Sequence, residues 1–264
     1  MPEIDRWALH KTHRLIETVT RAFEGFEFHK VHHSIHHFCA VDMSAFYFDV
    51  LKDRLYTWGK DSTGRRAAQT ALQEVLQALV KLSAPLLVHT AEEAWSAMKQ
   101  KDEDLPSVHL AAWPQVKTQW IDVELEKRWA KLIRIREGVL RGLETLRENK
   151  SIGKSLEAYI CFYVPNKELY DFLKIHESAL VPLLMVSEVQ LLNKCPEASH
   201  ENWTFTQDSS LSPPLELDTT EYWIEAKVTK NRQCERCWNY FESVGKNSEH
   251  PALCSRCVEV VETL

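Results

Sequence analysis

The sequence predicts a mainly helical protein with a smaller α+β part, closed by a short cysteine-rich module. Three observations carry this expectation. Only 7 of 264 residues are Gly and 10 are Pro, too few for a turn-dense β fold, while 44% hydrophobic and 27% charged residues are enough for a sizeable buried core. Apolar residues recur at three- and four-residue spacing through residues 3–98, then alternate strictly beyond Gly153. Four of the seven cysteines fall in two C-x2-C pairs, Cys234/Cys237 and Cys254/Cys257. The expected organisation is a helical bundle over 1–118, a long basic helix with an α+β junction over 119–221, and the cysteine module over 222–264.

The elements follow in order. Ile4, Ala8, Leu15, Val19 and Ala22 mark a first helix over 3–23 that Gly25 interrupts. A second, aromatic-rich helix runs from Glu27 to Arg54 with Phe28, Val31, Ile35, Phe38, Ala45 and Phe46 near one face. After the turn Gly59-Lys60-Asp61-Ser62, a third helix carries Ala68, Leu72, Val75, Leu79 and Leu82 until Pro85 stops it. Thr90 and Glu93 are placed as a capping box for a fourth helix holding Ala94, Trp95 and Met98. Short connections between four helices predict an antiparallel bundle.

Asp102-Glu103-Asp104-Leu105-Pro106 and Trp113-Pro114 predict an extended connector over 101–118. From Ile121 to Arg147 a long helix sets Leu125, Trp129, Leu132, Val139, Leu143 and Leu146 on one seam. Leu156, Ala158, Ile160, Phe162 and Val164 then alternate with more polar residues, the period of a strand. Asn166 is expected to cap a short helix through Leu173; further strands are expected at Val189–Leu191, at Trp203–Phe205 and at Ile224-Ala226-Val228, with Ser209–Pro214 in a loop.

Net charge is −6, yet residues 127–154 hold nine Lys or Arg against three Glu, and residues 195–226 hold seven Asp or Glu with no Lys or Arg. The charge is segregated, so a locally basic binding face is compatible with an acidic total, the plain alternative being solvated helix faces. No apolar run approaches the ~20 residues of a membrane span, and Met1-Pro2-Glu3-Ile4-Asp5-Arg6 lacks the basic and apolar regions of a signal peptide, which predicts a soluble cytoplasmic protein without membrane contact.

Two C-x2-C pairs separated by sixteen residues suit a structural zinc site, each pair forming a knuckle that turns two thiolates onto one ion and leaves no position for water or substrate. Cys234, Cys237, Cys254 and Cys257 are the predicted metal ligands for one structural Zn2+. A redox pair or an iron–sulfur cluster is the weaker alternative. Cys39, Cys161 and Cys195 are expected as ordinary thiols, and His29, His32, His33, His36 and His37 as surface histidines, since no H-E-x-x-H pattern accompanies them. No phosphate-binding or nucleophile-elbow motif occurs, so no catalytic residue is assigned.

Longer segments carry a family resemblance. Glu3-Ile4-Asp5-Arg6-Trp7, Phe38-Cys39-Ala40-Val41-Asp42-Met43-Ser44-Ala45-Phe46-Tyr47, Lys52-Asp53-Arg54-Leu55-Tyr56, and Leu82-Ser83-Ala84-Pro85 with Thr90-Ala91-Glu92-Glu93-Ala94-Trp95 resemble the anticodon-binding helical domain of class I aminoacyl-tRNA synthetases. Val108-His109-Leu110, Trp113-Pro114 and Ile152-Gly153-Lys154-Ser155-Leu156-Glu157-Ala158 extend the match. Cys234-Glu235-Arg236-Cys237-Trp238-Asn239 is similar to the zinc-binding C-terminus of bacterial-type isoleucyl-tRNA synthetases, an ending that valyl and leucyl relatives do not share. The resemblance covers nearly the whole chain outside the acidic stretch 195–221, and it implies a C-terminal piece, because the family's H-x-G-H and K-M-S-K-S signatures are missing.

What the resemblance implies is recognition of the anticodon stem-loop of isoleucine tRNA. The chemistry, attachment of isoleucine to tRNA with ATP, would lie with catalytic and editing domains of a monomeric, cytoplasmic parent ligase. Candidate RNA contacts are Trp238, Arg236, Arg232 and Lys230 at the first knuckle and Arg134, Arg141 and Arg147 on the basic helix. Trp238 either covers the metal and Tyr240 as packing or projects outward as a stacking surface. Two rivals come from other classes. Formamidopyrimidine-type DNA repair glycosylases resemble the chain in length, in a C-terminal four-cysteine finger and in a Met-Pro-Glu start whose Pro would be the nucleophile, here Pro2. That family opens with a β-sandwich. A zinc-ribbon scaffold binding another protein is the third reading.

Overall fold

The structure, a computed structural model of the chain, describes residues 1–98, 105–148, 150, 152–194, 204–206 and 222–263. Two compact units, Met1–Trp129 and Ala130–Leu264, each close on their own core.

In the first unit α1 (Glu3–Glu24) begins directly after Pro2 and is buried on most sides, Asp5, His10, Thr12 and His13 included. The expected single apolar stripe is thus too narrow a description. The chain returns as α2 (Phe28–His37), an eleven-residue π-helical segment Phe38–Phe48, and α3 (Asp49–Thr57), which together form the predicted second helix and end three residues later than expected. The wider i→i+5 turn of the π segment brings Phe38 and Met43 onto the buried side with Tyr47. Trp7, Phe46 and Trp129 pack as a ring cluster, with centroids 5.0 Å apart for the edge-on Trp7–Phe46 pair.

α4 (Thr63–Ser83) is capped by Ser62, whose hydroxyl accepts the Arg65 N–H at 3.3 Å. Gly64 lies so close to the indole of Trp58 that a Cβ there would stand 2.6 Å from a ring carbon. α5 (Val88–Ala97) corrects the expected capping box at Thr90. The Ala91 N–H already bonds the Leu87 carbonyl at 2.8 Å, so the helix starts a turn earlier, and no side chain caps it. Glu92, next to the expected partner Glu93, instead accepts from the Ser107 hydroxyl (2.9 Å) and the Val108 N–H (3.0 Å). With helices over 3–24, 28–57, 63–83 and 88–97, the β-sandwich that a glycosylase would need has no room, and that rival is not favoured.

Residues 99–104, which include Asp102-Glu103-Asp104 of the expected connector, lie outside the described residues. The part beyond is a strap along α1. The Trp113 indole N–H donates to Thr20 Oγ1 (2.8 Å), the Lys117 N–H to His13 Nδ1 (3.3 Å), the Asp122 N–H to His10 Nδ1 (3.0 Å), and Arg6 pairs with the Asp122 carboxylate (2.7 Å). Asp122 also caps α6 (Val123–Glu148) by accepting the Leu125 N–H at 2.9 Å.

In the second unit Leu132, Val139 and Leu143 of α6 are buried as the seam predicts, and Ile135, which the seam did not include, is buried with them; the side chain of Leu146 lies outside the described residues. Arg136 departs from the expected basic outer face. It is buried and donates to the Leu183 carbonyl at 2.7 Å, which satisfies a helix-end acceptor. A four-stranded sheet in the order β2-β1-β4-β3 joins β1 (Ala158–Tyr163), β2 (Glu188–Leu192), β3 (Thr204–Thr206) and β4 (Tyr222–Val228). β1 and β2 run parallel, with Ile160 opposite Val189, and β1 and β4 antiparallel, with Ile160 opposite Ala226.

A parallel pair needs a crossover, supplied by α7 (Lys167–Ile175), capped by Asn166 as expected, and α8 (Glu177–Leu184), which Pro182 hid from the sequence pattern. Cys161, on the other side of the alternation from Ile160 and Phe162, is also buried. Trp203, Cys195 and Ser209–Pro214 lie outside the described residues. Among the described residues, no helix is long and apolar enough to cross a membrane.

Candidate functional site

β5 (Arg232–Gln233) and β6 (Tyr240–Phe241) form a short hairpin that carries the first cysteine pair at its turn. The Cys234 N–H bonds the Asn239 carbonyl (2.9 Å), and the Trp238 N–H bonds the Cys234 carbonyl (2.8 Å), closing a knuckle that aims both sulfurs inward. Cys254 precedes α9 (Ser255–Val261) and Cys257 sits in its first turn; the Glu235 N–H bonds the Ala252 carbonyl (3.1 Å) and ties the two knuckles together. Gly245, at φ 92°, makes the turn between them that a side chain would strain. All four sulfurs are buried and lie within 4.8 Å of one another. Val244, Phe241 and Leu253 are the apolar residues packed against them, so the sulfurs are most of this module's interior.

A tetrahedral ion with Zn–S bonds of about 2.3 Å sets its sulfurs about 3.8 Å apart. Cys237 Sγ and Cys254 Sγ stand 3.9 Å apart. Burial and the facing thiols push Cys237 up strongly, and burial is also the leading cause that raises Cys254 to about 11. Cys234 is the exception: burial opposes its thiolate too, but backbone N–H groups of Cys237, Cys254 and Arg236 outweigh it and bring its pKa to about 7. Four such thiols with no carboxylate or imidazole among them fit a soft divalent cation in a closed structural site. The donor set has no open position for chemistry.

The seven candidate RNA contacts separate into two kinds. Arg236 is half-buried and donates to Cys257 Sγ at 3.5 Å, and Arg147 pairs with Glu144 at 2.6 Å and donates to the Ser155 hydroxyl; their charges already serve the fold. Lys230, Arg232 and Arg141 are exposed, and Arg134 is half-buried. Trp238 projects outward with 62% of its surface exposed, at φ 62°, a left-handed backbone that favours glycine and is held here by the knuckle. Packing over the metal is therefore not its role. Lys154 rests its ammonium 5.3 Å from the centre of the Trp238 ring, a pairing that sequence reasoning did not connect although both residues fall in family-like segments. All five helix-29–37 histidines are exposed, and among the described residues only the four cysteines gather as a metal-binding group.

A family model described as the anticodon-binding domain of tRNA ligase matches residues 5–162, more than half of the chain. The chain belongs to this anticodon-binding family. A second model, a zinc finger found in FPG and IleRS, matches residues 233–260 and covers both knuckles of the anticodon-binding chain. Similar proteins include isoleucine–tRNA ligases of Moorella thermoacetica, 42% identical over 264 residues (100% of this chain, 27% of that protein), and of Desulforamulus reducens, 42% identical over 262 residues (99% and 27%). The ligase of Syntrophotalea carbinolica is 41% identical over 260 residues, 98% of this chain and 26% of that protein. The anticodon-binding chain thus spans about a quarter of the length of the relatives it matches.

Proposed function

We propose that the chain is the non-catalytic C-terminal part of an isoleucine–tRNA ligase and grips the anticodon stem-loop of isoleucine tRNA. The carrying observation is the exposed indole of Trp238, fixed in a left-handed backbone by a cysteine knuckle, in a chain of the anticodon-binding family. Anticodon bases splay out in a single-stranded loop and are read by stacking and edge hydrogen bonds, while phosphates take cations. Trp238 supplies the stacking face; Lys230 and Arg232, on the chain leading into the knuckle, and Arg134 and Arg141 on α6, supply positive charge. Arg236 and Arg147, the other two candidates, support the site from inside.

In this reading Cys234, Cys237, Cys254 and Cys257 hold one zinc ion, whose part is to hold the knuckle shut. The chain acts as three parts, a helical anticodon-binding bundle over 1–118, a basic helix and junction over 119–221, and the zinc module over 222–264. It works in a monomeric, cytoplasmic ligase with catalytic and editing domains elsewhere, and binding energy collected here orients the acceptor end at the distant reaction centre. Filter binding of the chain to isoleucine tRNA and to an anticodon-swapped variant tests this. The native anticodon should bind more tightly, and Trp238→Ala should weaken binding by roughly 1–3 kcal/mol with zinc content unchanged. Equal affinity for both tRNAs would overturn the anticodon assignment and favour the protein-binding scaffold.

A further inference from the structure

An indole that stands 62% exposed on a two-residue knuckle has a mobile χ1 and χ2 unless something holds it. The Trp238 backbone is fixed: its N–H bonds the Cys234 carbonyl at 2.8 Å and its carbonyl accepts from Gln233 Nε2 at 3.3 Å. The ring itself has a charged neighbour. Lys154 sets its ammonium 5.3 Å from the ring centroid, within the range where the electron-rich face attracts a cation.

Lys154 is exposed, but its backbone is anchored. Ile152 and Ser155 on either side of its short loop are buried, and Arg147 donates to the Ser155 hydroxyl. The Gly153 N–H bonds the Glu157 carboxylate (2.8 Å), and the Glu157 N–H bonds the Lys154 carbonyl (3.0 Å). The Thr229 N–H then bonds the Glu157 carbonyl at 2.8 Å, which ties this loop to the chain entering the cysteine hairpin. Both the ring and the cation that touches it are therefore delivered by anchored backbone.

We propose that Lys154 is a positioning residue for an RNA base: it occupies one face of the Trp238 indole and so presents the other face, already oriented, to an unstacked nucleobase of a single-stranded loop. This rests on the stacking reading of Trp238. The ammonium is spent on the ring and does not neutralise a phosphate. Holding the ring before the base arrives removes part of the ordering cost of binding, which raises affinity without adding any direct interaction with RNA.

The test is a double-mutant cycle on the 264-residue chain with the isoleucine-tRNA anticodon stem-loop, read by fluorescence anisotropy at several salt concentrations. Lys154→Met, which keeps an unbranched apolar stem and removes the charge, should weaken binding about two- to fivefold, and Lys154→Arg should restore it. In the Trp238→Ala background Lys154→Met should have no further effect, and its slope of log affinity against log salt should match the unsubstituted chain. Fluorotryptophan NMR should show the Trp238 signal shifted by Lys154→Met without RNA present.

If the weakening by Lys154→Met persists in full in the Trp238→Ala background, or if the salt slope falls by about 0.7, Lys154 binds a phosphate and the proposal is overturned. So would unchanged affinity on Lys154→Met overturn it while Trp238→Ala still weakens binding. If Trp238→Ala itself leaves affinity unchanged, it is the stacking reading that has failed, and the positioning role falls with it.

Discussion

Arg54 meets Asp5 at both carboxylate oxygens, 2.6 and 3.0 Å away, and the Tyr47 hydroxyl donates to the same carboxylate at 2.9 Å. Asp5 is fully buried, so these three donors replace the water it gave up, and they fasten α3 and the π segment to α1. Removing one partner leaves a buried charge behind. Arg54→Met is expected to cost about 3–5 kcal/mol, and Tyr47→Phe about 1–2, in urea unfolding followed by circular dichroism. Equal stability of Arg54→Met and the unsubstituted chain would show that the pair is merely tolerated.

His13 is buried with Nδ1 accepting the Lys117 N–H. Burial first, and the Lys117 ammonium second, lower its pKa below the ordinary 6.5. The folded state therefore prefers neutral imidazole, and its contribution is complete above the unfolded value and lost as pH falls through the lower folded one. Between about pH 7.5 and about pH 5, His13→Asn, which keeps an acceptor without a titrating ring, should lose less stability than the unsubstituted chain. Parallel pH profiles for the two would refute this.

Zinc removal should act on one part of the molecule. Structural zinc contributes on the order of 10–16 kcal/mol in small peptides, and the cysteine module has little other interior, so a chelator should unfold the segment from about Tyr222 while the helices of residues 3–97 persist. Cys254→Ser should leave less than half an equivalent of zinc by elemental analysis. Arg236→Met should keep the zinc but release it faster to a chelator, because the guanidinium that donates to Cys257 Sγ is gone, whereas Lys230→Met should not.

The basic residues should sort by exposure. Charge reversal at Arg141, Lys230 or Arg232 is expected to lower the salt slope of anticodon-loop binding by about 0.7 for each phosphate that is no longer neutralised. Arg147→Glu, which breaks the Glu144 and Ser155 pairings, should instead lower the melting temperature. A slope that none of the three exposed reversals changes would return them to a solvated face.

Most of this was legible where local chemistry decides. The α6 seam, the Asn166 cap and the alternation of Ile160 and Phe162 follow from periodicity and side-chain reach, and the cysteine spacing alone located the sulfur cluster. Pairings at long sequence distance were not legible. Nothing near Arg236 says that it faces Cys257 rather than a phosphate, and nothing near Lys154 says that it meets Trp238, because each pairing exists only once the knuckles and the junction are folded. Thr90 failed as a cap for a different reason. The turn after Pro85 already leads into the helix, and a backbone carbonyl can start it without a hydroxyl.

The strap has a consequence for the order in which the chain can fold. Arg6, His10, His13 and Thr20 bond to residues 116, 112, 104 and 93 positions downstream, so the outer side of α1 is completed by the last segment of the first unit to be made. At about 5–20 residues per second, α1 leaves the ribosome roughly 5–20 s before its own cover exists. During that interval two histidines and an arginine that the strap will pair face water on the helix. The polar character of this side is what makes the wait safe: it stays hydrated in the nascent chain, where an apolar stripe of the same length would invite aggregation.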